Sequence, residues 1–370
     1  MTIGFDAKRA FFNQSGLGNY SRDVIRCLIE NYPDNEYYLY TPYPKKSIPF
    51  YQQGNCLIKG PDGILHRIFP SFWRSFSIGK QLKNDHVEIY HGLSNELPAD
   101  ISSSGVRSVV TIHDLIFLRY PHFYPFYDTF TYRQKIYFAC RHADAIVAVS
   151  EQTRKDIIEY LKIPPSRITV IYQSCNPIFY QPVNEHQKQI IRERYQLPRE
   201  YILFVGTIEE RKNLLSLVKA IHQQKIDMPL VVIGKETPYA LSVYQHIRKY
   251  RLSNIWFLKK VPTPDMPAIF QMATVFVYPS LFEGFGIPIL EALYSRVPVI
   301  TNKGGCFSEA GGPASLYVDC KSPEAIGNAI ITLINDKELR QKMIEEGYRH
   351  ALQFNPQKVA NNLMNLYQQL

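Results

Sequence analysis

Short apolar runs alternate with helical patterns along the whole chain, and this alternation restricts the possible folds more than any other feature. The predicted strands are 3–5, 37–40, 88–90, 108–112, 145–149 and 168–171 in the first half, and 201–205, 230–233, 255–258, 275–278, 299–300 and 315–318 in the second. Segments between them, such as 151–161, 214–221 and 238–250, have apolar residues at helical spacing. Strands that alternate with helices form parallel sheets covered by helices on both faces. The sequence therefore predicts an α/β fold of two Rossmann-like, doubly wound parallel-sheet domains.

The predicted domain boundary lies near the middle of the chain, whose 370 residues are enough for two separate cores. The segment Gln173 to Pro177 is typical of a turn, and a polar, charge-rich stretch follows it. We therefore predict an N-terminal domain over 1–178 and a C-terminal domain over 179–355. Residues 356–370 are predicted to form a helix that packs back on the N-terminal domain.

The composition is that of a globular protein, with 45% apolar and 20% charged residues. The first residues lack the pattern of a secretory signal, and no run approaches the ~18 apolar residues of a membrane span, so we expect a cytoplasmic protein. The six cysteines are scattered without a C-x-x-C pair, which is typical of reduced thiols. The net charge of +9 is spread over both halves and predicts no nucleic-acid-binding face.

The strongest chemical signal is the segment 275–293, which reads VFVYPSLFEGFGIPILEAL. A buried strand meets a Pro-Ser turn and then a helix whose first turn contains Pro288. Gly284 and Gly286 let the backbone approach a ligand closely, and the helix N-terminus supplies free N–H groups and a partial positive charge. Because open α/β sheets bind nucleotides at this edge, the segment predicts an anion site.

Two carboxylates, Glu283 and Glu291, lie in this segment eight residues apart. A carboxylate next to a diphosphate is repulsive, so we expect both to face hydroxyls or cations. A pair of hydroxyls such as those of a ribose suits a carboxylate acceptor.

A second candidate site follows the strand predicted at 201–205, where the sequence reads YILFVGTIEERKN. Arg211 and Lys212 come just before a helix whose predicted N-cap is Asn213. Two cations at the carboxyl end of a strand suit a diphosphate leaving group, since Arg offers a fork of donors and Lys a point charge.

The N-terminal half offers two weaker candidates. Ser15-Gly16-Leu17-Gly18-Asn19-Tyr20 follows the first strand and precedes a helical pattern, which is a candidate glycine loop for a phosphate or substrate. His113 comes directly after the strand predicted at 108–112, a position that favours contact with a ligand.

Taken together, these motifs resemble glycosyltransferase family 4, a group of retaining GT-B enzymes with two domains facing a cleft, and most resemble its bacterial polysaccharide mannosyltransferases. The resemblance spans nearly the whole chain, including VGTIEERKNL and TIHDLIFLRYP. The sequence departs from the family pattern at Cys306–Ser308, where Ser-Leu-Pro is frequent. The matching motifs are E-x7-E (Glu283, Glu291), Gly206-Thr207-x3-Arg211-Lys212 and Gly304-Gly305…Glu309.

The resemblance implies a role for each matching residue. Arg211 and Lys212, with Gly206 and Thr207, would bind the donor diphosphate, and Glu291 would bind the ribose. Glu283 and the turn Gly284-Phe285-Gly286 would contact the transferred sugar, and His113 would hydrogen-bond that sugar from the opposite domain. Gly16 and Gly18 would reach the phosphates, and Asp114 and Ser150 are assigned to the acceptor side. The residues that the resemblance implies to be catalytic are therefore Glu283, His113, Arg211 and Lys212.

The implied reaction is retaining transfer of a hexose, with mannose from GDP-mannose favoured, to a saccharide or lipid-linked glycan in polysaccharide or lipopolysaccharide biosynthesis. Retaining GT-B enzymes are thought to let the departing phosphate take the acceptor proton, so no protein base is required. The chain contains no Asp-x-Asp, the usual metal signature of the other main glycosyltransferase fold. We therefore expect no cofactor and no essential metal.

The segment 59–83 interleaves five Lys or Arg residues with Phe69, Phe72, Trp73 and Phe76. This pattern is typical of an element that rests on anionic lipid, which would place the protein at the inner face of the membrane. The alternative is a partly buried element with its rings in the core. The stretch 43–46 and the aromatic-rich stretch 117–132 are further candidates for the acceptor side.

Other functions explain the motifs less well. A nucleotide-sugar epimerase or a UDP-sugar-dependent enzyme would share the fold. A dehydrogenase needs G-x-G-x-x-G, and Tyr20 replaces the third small residue. A basic lipid- or nucleic-acid-binding protein would explain only the charge, with binding that weakens steeply with salt.

Overall fold

The computed structural model describes residues 1–13, 16–44, 55–124 and 126–370. Ser15 of the candidate glycine loop, and Lys45 and Lys46 of the stretch 43–46, lie outside the described residues. The chain divides into two compact units. Unit 1 comprises Met1–Ser174 together with Phe354–Leu370, and unit 2 comprises Cys175–Gln353.

Unit 1 is built on a parallel sheet, which in the described residues has seven strands in the order β3-β2-β1-β4-β5-β6-β7. The direction of strand order reverses between β1 and β4, which pair directly. The strands are β1 Thr2–Asp6, β2 Glu36–Tyr40, β3 Cys56–Lys59, β4 Ile89–Gly92, β5 Arg107–Ile112, β6 Ala145–Ala148 and β7 Ile168–Val170. The helices are α1 Lys8–Phe12, α2 Gly16–Asn31, α3 Ile64–Ile68, α4 Pro70–Phe76, α5 Gly79–Asn84, α6 Ile101–Ser104, α7 Ile116–Arg119, α8 Phe126–His142 and α9 Glu151–Leu161.

Unit 2 repeats this architecture with a parallel sheet of six strands among the described residues, in the order β10-β9-β8-β11-β12-β13. The reversal of strand order lies between β8 and β11. The strands are β8 Ile202–Val205, β9 Leu230–Ile233, β10 Ile255–Leu258, β11 Val275–Tyr278, β12 Val299–Asn302 and β13 Leu316–Val318. The helices are α10 Glu185–Tyr195, α11 Leu214–Gln223, α12 Ala240–Lys249, α13 Met266–Gln271, α14 Ile287–Tyr294, α15 Phe307–Gly311, α16 Pro323–Asn335 and α17 Lys337–Ala351. The predicted α/β class with two doubly wound parallel sheets is confirmed.

The last helix of the chain, α18 Pro356–Gln368, belongs to the core of unit 1. Its apolar face buries Val359, Leu363 and Leu366 against the same cluster that contains Phe5 of β1. The hydroxyl group of Tyr367 lies 2.6 Å from Nδ1 of His91 in β4, and both side chains are buried. Because helical spacing places these apolar residues on one side, the helix gains most of its stability from this packing.

Two local expectations were wrong. Gly16 and Gly18 do not form a loop before a helix but lie in the first turn of α2. A Cβ atom at Gly18 would lie 1.8 Å from the carbonyl oxygen of Asn13, so the close approach of the backbone requires this glycine. Asn213 does not cap α11 with its side chain, because its backbone is left-handed with φ 59°. Its Nδ2 instead donates to the carbonyl oxygens of Pro279 at 3.2 Å and Cys320 at 2.7 Å.

Candidate functional site

The candidate donor site lies in unit 2, at the point where the strand order of its sheet reverses. The segment that carries Arg211 follows β8, and the segment that carries Glu283 follows β11, which pairs with β8. The two segments are joined by a hydrogen bond of 2.8 Å from Leu281 N to the Arg211 carbonyl oxygen. Open α/β sheets bind ligands at this place, outside the carboxyl ends of the strands.

One carboxylate and two cations form the centre of this site. Glu283 Oε2 lies 2.7 Å from Arg211 Nη1, and Glu283 Oε1 lies 2.6 Å from Lys212 Nζ. The three side chains are only 16% (Arg211), 13% (Lys212) and 11% (Glu283) exposed. Charged hydrogen bonds of this length in a poorly solvated place are strong, so the three groups form a fixed ionic cluster.

Further contacts orient the cluster. Glu209 Oε1 lies 2.6 Å from Arg211 Nη2, and Arg211 Nη1 also donates to the Phe282 carbonyl oxygen at 2.8 Å. Lys212 Nζ is 2.7 Å from the hydroxyl oxygen of Tyr278, and the Ser280 hydroxyl group donates to Glu283 Oε1. The sequence motifs did not indicate Glu209, Tyr278 or Ser280. Only their position in the sequence could have indicated them, because each lies within a few residues of a strand end or of a predicted site residue.

The charges of the cluster determine its protonation. Burial raises the pKa of Glu283, but Arg211 and Lys212 outweigh this effect and lower it to about 2. Burial lowers the pKa of Arg211, and the neighbouring Glu283 and Glu209 raise it to well above its ordinary value. Burial lowers the pKa of Lys212, on which Glu283 and Arg211 act in opposite directions. Glu283 is therefore an anion at neutral pH and a very weak base.

The other predicted donor residues also lie in unit 2, on the segments that follow β8 and β11. Gly206 and Thr207 follow β8 directly and are half-buried. Phe285 is buried, and Gly286 adopts φ 112° at the start of α14, a left-handed conformation that favours glycine. Glu291 lies on α14 and is half-buried. The glycine turn and the N-terminus of α14 follow Glu283 closely in the chain, and the N-terminus of a helix favours an anion.

The candidate residues of unit 1 form a separate group at the carboxyl end of β5. His113 follows this strand and is 6% exposed. Its Nε2 lies 2.9 Å from the Leu93 carbonyl oxygen, so Nε2–H is the donor and Nδ1 accepts from Gln173 Nε2 at 3.2 Å. Burial lowers the pKa of His113 to about 4. The imidazole is therefore neutral, and both of its nitrogens already have partners in the protein.

Asp114 and Ser150 differ in their surroundings. Asp114 is half-buried, accepts a hydrogen bond from Ile116 N at 3.2 Å, and lines a cavity of unit 1. Ser150 is fully buried and caps α9, where its Oγ accepts from Thr153 N at 3.0 Å. Its hydroxyl group caps the N-terminus of α9, and Ser150 does not line that cavity.

The structure thus brings Arg211, Lys212 and Glu283 into direct contact, and the remaining donor candidates of unit 2 lie on the same two segments, after β8 and after β11. The predicted site residues of unit 1 are His113, Asp114, Gly16, Gly18 and Ser150. In the described ranges, no three His, Cys, Asp or Glu side chains are arranged to hold a metal ion. No helix in the described part of the chain is long and apolar enough to cross a membrane.

Comparison with solved structures gives the class of the fold. The chain aligns over its full length with sucrose-phosphate synthase from Thermosynechococcus elongatus, at a TM-score of 0.79 and 18% identity over 98% of that chain. It aligns equally completely with Anabaena HepE in complex with UDP-glucose, at a TM-score of 0.77 and 15% identity over 99% of that chain. At this identity the likeness concerns the fold, and the fold is that of GT-B glycosyltransferases.

Comparison by sequence gives the family. Residues 14–177 match the model for Glycosyltransferase Family 4, and residues 187–350 match the model for glycosyl transferases group 1. O-antigen chain mannosyltransferase B of Escherichia coli is 31% identical over 289 residues, which are 76% of this chain and 74% of that relative. O-antigen chain mannosyltransferase RfbU of Salmonella typhimurium is 28% identical over 60% of each chain, so the match spans less than two thirds of that relative's length. The chain belongs to glycosyltransferase family 4 and is a glycosyltransferase.

Proposed function

We propose that this glycosyltransferase transfers a mannosyl residue from GDP-mannose, with retention at the anomeric carbon, to a saccharide or lipid-linked glycan during polysaccharide biosynthesis. The observation that carries the proposal is the pair Arg211 and Lys212 beside the Gly284–Gly286 turn, at the reversal point of the unit 2 sheet. The names of the O-antigen mannosyltransferases support the sugar and the pathway.

The charges of the site suit the departure of a nucleoside diphosphate. When the bond between the anomeric carbon and the diphosphate breaks, negative charge develops on the phosphate oxygens and positive charge on the sugar. Arg211, Lys212 and the N–H groups at the start of α14 stabilise the negative charge, and because they are already held in place they need little reorganisation. Glu291, one turn inside α14, is proposed to hold the ribose hydroxyls.

Retention is supported by the surroundings of Glu283 and His113, the two predicted catalytic residues that could act as a nucleophile or a base. A carboxylate with a pKa of about 2 that is bound by two cations is a poor nucleophile, which argues against a covalent intermediate on Glu283. His113 is neutral, and its unprotonated nitrogen is hydrogen-bonded to Gln173. In the proposed step the acceptor oxygen bonds to the anomeric carbon on the face that the diphosphate leaves, and the leaving phosphate oxygen takes the acceptor proton.

The donor is tested by binding and turnover. A ligand that binds only the folded state raises the melting temperature, so a panel of GDP, UDP, ADP and their sugars should give the largest shift with GDP and GDP-mannose. A larger shift and faster transfer with UDP-glucose would replace GDP-mannose by a UDP-sugar, the second candidate donor, which the UDP-glucose complex of HepE favours.

The donor-site residues are tested by Arg211→Ala and Lys212→Ala. We expect each change to lower kcat/KM about 100-fold, because each removes one preorganised cationic donor from the leaving group. Lys342→Ala is the matched control, since Lys342 is an exposed cation on α17 in the same unit. Unchanged transfer in both site variants would show that the diphosphate binds elsewhere.

We further propose that the enzyme contacts the inner face of an anionic membrane through α3 and α4. Six apolar side chains of these helices and of the residue between them are each between 54% and 78% exposed: Ile64, Leu65, Ile68, Phe69, Phe72 and Phe76. Trp73 and Arg74 anchor the element, because Trp73 is fully buried with Nε1 2.9 Å from Gln81 Oε1, and Arg74 Nη2 lies 2.8 Å from Asp6 Oδ2. Apolar side chains displayed by a fixed element near exposed Arg67, Lys80 and Lys83 suit a bilayer of anionic lipid.

Vesicle sedimentation tests the membrane contact. The triple variant Phe69→Ser, Phe72→Ser and Phe76→Ser should lose at least tenfold in its partition onto vesicles that contain phosphatidylglycerol. Leu241→Ser, at an apolar side chain of α12 that is 62% exposed, is the control and should bind as the parent does. Equal partition of the triple variant and the parent would refute the contact.

A further inference from the structure

A series of hydrogen bonds between buried side chains runs through unit 1 from its last helix to α2. Its members are Tyr367 of α18, His91 of β4, Thr111 of β5 and Tyr20 of α2, and we call these four residues the buried network. The Tyr367 hydroxyl oxygen lies 2.6 Å from His91 Nδ1. His91 Nε2 lies 2.8 Å from Thr111 Oγ1, which in turn lies 3.1 Å from the Tyr20 hydroxyl oxygen. None of the four residues is more than 4% exposed.

The sheet of unit 1 places the members of the network on one of its faces. His91 is in register with Val109, and Thr111 is two positions further along β5, so the side chains of His91 and Thr111 project from the same face. The helices α2 and α18 pack on this face, because their apolar residues share a cluster with Val109. Polar groups buried under two helices need partners within the protein, and the network supplies them.

The network is uncharged at its centre. Burial, with a smaller contribution from His113, lowers the pKa of His91 to about 3, so its imidazole is neutral. A neutral imidazole donates from one nitrogen and accepts at the other, and the hydroxyl groups of Tyr367 and Thr111 can match either arrangement. Paired polar groups in a poorly solvated interior are held rigidly, so the network keeps the Tyr20 ring in one orientation.

The Tyr20 ring contacts the imidazole of His113. The two ring centroids are 4.6 Å apart and the rings are perpendicular, which is a preferred arrangement of aromatic pairs. The hydrogen bonds of His113 to the Leu93 carbonyl oxygen and to Gln173 lie along the ring nitrogens and fix rotation of the imidazole within its own plane. The perpendicular Tyr20 ring restricts its tilt out of that plane.

The backbone of His113 is fixed as well. His113 N donates to Asn95 Oδ1 at 2.8 Å, and the His113 carbonyl oxygen accepts from Thr153 Oγ1 at 3.1 Å. Backbone and ring are therefore both held at a position just after a strand, where a rigid scaffold presents functional groups. Such support on every side suits a residue whose exact placement matters.

From these contacts we infer that Tyr20 is a positioning residue for His113, and that the buried network fixes Tyr20 against α18. The inference rests on the proposed function, because that function places His113 at the transferred sugar. Tyr20 contacts no reacting atom in this scheme and acts only through the imidazole. A group that is displaced by about 1 Å can cost about 100-fold in rate, so the last helix of the chain contributes to the geometry of transfer.

Substitutions at Tyr20 and Thr111 test the inference by kinetics. Tyr20→Phe keeps the ring but removes its bond to Thr111, and Thr111→Val removes the hydroxyl group that links Tyr20 to His91. We expect each to lower kcat about tenfold and Tyr20→Leu, which removes the ring, to lower it further. The KM for the donor should change by no more than about twofold, because the loss falls on the transition state. Thr111→Ser retains the hydroxyl group and should restore most of the activity.

Tyr37→Phe is the matched control. Tyr37 is a fully buried tyrosine of β2 in the same core, and its hydroxyl oxygen lies 2.9 Å and 2.8 Å from the carbonyl oxygens of Leu28 and Tyr32. This variant should lose stability as Tyr20→Phe does but keep the kcat of the parent. An equal fall of kcat in the two variants would show that only stability is affected and would overturn the inference.

NMR of the imidazole nitrogens gives a second measurement that needs no substrate. The signals of His113 are assigned by comparison with His113→Gln, and in the parent we expect one protonated nitrogen, Nε2, and one acceptor, Nδ1. In Tyr20→Phe and Thr111→Val these two signals should move towards each other, because the ring samples other orientations. In Tyr37→Phe they should stay in place.

The two measurements separate this inference from the proposed function. If the His113 signals are the same in the parent and in both Tyr20 variants, the inference is wrong and the proposed function is unaffected. If the signals change while transfer does not, Tyr20 does position the ring, and the role that the proposed function gives to His113 fails. If no sugar nucleotide supports transfer at all, the proposed function fails, and the NMR signals still decide whether Tyr20 positions His113.

Discussion

The substitution Glu283→Gln gives the sharpest test of the donor site. The carboxylate of Glu283 lies 2.7 Å from Arg211 and 2.6 Å from Lys212, so in the chain without ligand it neutralises part of the charge that we assign to the diphosphate. A diphosphate on the same two cations would lie close to this carboxylate and would be repelled by it. We therefore expect Glu283→Gln to strengthen the binding of GDP while it weakens transfer.

The magnitude follows from the distances. Two unit charges about 6 Å apart interact by about 3 kcal/mol at an effective dielectric constant of about 20. Part of this gain is lost, because the glutamine amide holds Arg211 and Lys212 less firmly than a carboxylate does. A net gain of about 1.4 kcal/mol corresponds to tenfold tighter binding of GDP. Transfer should fall about 100-fold, because Glu283 is also the residue predicted to contact the sugar.

Calorimetric titration with GDP and initial rates of transfer measure the two effects on the same protein. Glu209→Gln is the graded comparison, since Glu209 contacts only Arg211 of the two cations and its side chain is 35% exposed. It should strengthen GDP binding less than Glu283→Gln does. The exposed Glu345→Gln on α17 serves as a neutral control. If Glu283→Gln weakens GDP binding as much as Arg211→Ala does, the carboxylate organises the site and does not oppose the diphosphate.

Three further expectations follow from the same contacts. Full transfer activity should persist in excess chelator, and an activity that is lost and then restored by Mg²⁺ or Mn²⁺ would contradict the metal-free proposal. The pKa of Glu283 is lowered to about 2 from an ordinary 4.5, so its ion pairs stabilise the fold above pH about 4.5 and cease to do so as the pH falls through about 2. Between these two pH values, the free energy of unfolding measured with urea should fall less steeply in Glu283→Gln than in the parent. Parallel curves for the two proteins would refute the linkage. Tyr367→Phe removes the hydroxyl group that lies 2.6 Å from buried His91 and should lower the free energy of unfolding by about 1–3 kcal/mol, whereas Tyr250→Phe on the surface should not.

The sequence predicted the elements that carry strong periodicity and missed those that carry little. The strands β9 and β11 begin and end where the apolar runs do, because every residue of these runs is buried in a parallel sheet. The edge strand β10 was predicted as well, from an unbroken run of four apolar residues, although none of them is fully buried. The edge strand β3 was not predicted, since none of its four residues is fully buried and its pattern is weak. The helix α10 was also missed, because only Ile191 of its eleven residues is buried and the remainder resembles a polar linker.

Within the site, sequence motifs indicated which residues matter but not how they meet. Glu283 and Arg211 are 72 positions apart in the chain, and only the pairing of β8 with β11 brings them within 2.7 Å. The sequence suggested that Glu283 faces hydroxyls or cations, a choice that charge repulsion imposes, and the structure supplies the cations. The sequence of 59–83 could not show which of its rings are buried and which are exposed. Trp73 and Phe72 are both apolar, and they differ only in whether the fold covers them.

The inclusion of Phe354–Leu370 in unit 1 has a consequence for the order in which the protein folds during synthesis. The ribosome releases 175–353 before it releases α18, so unit 2 can complete its core while unit 1 still lacks one of its helices. Until then, the surface of unit 1 that receives Leu363 and Tyr367 is exposed to solvent, which makes the nascent chain a substrate for chaperones. Premature termination just before residue 354 would therefore damage the earliest part of the chain to be made.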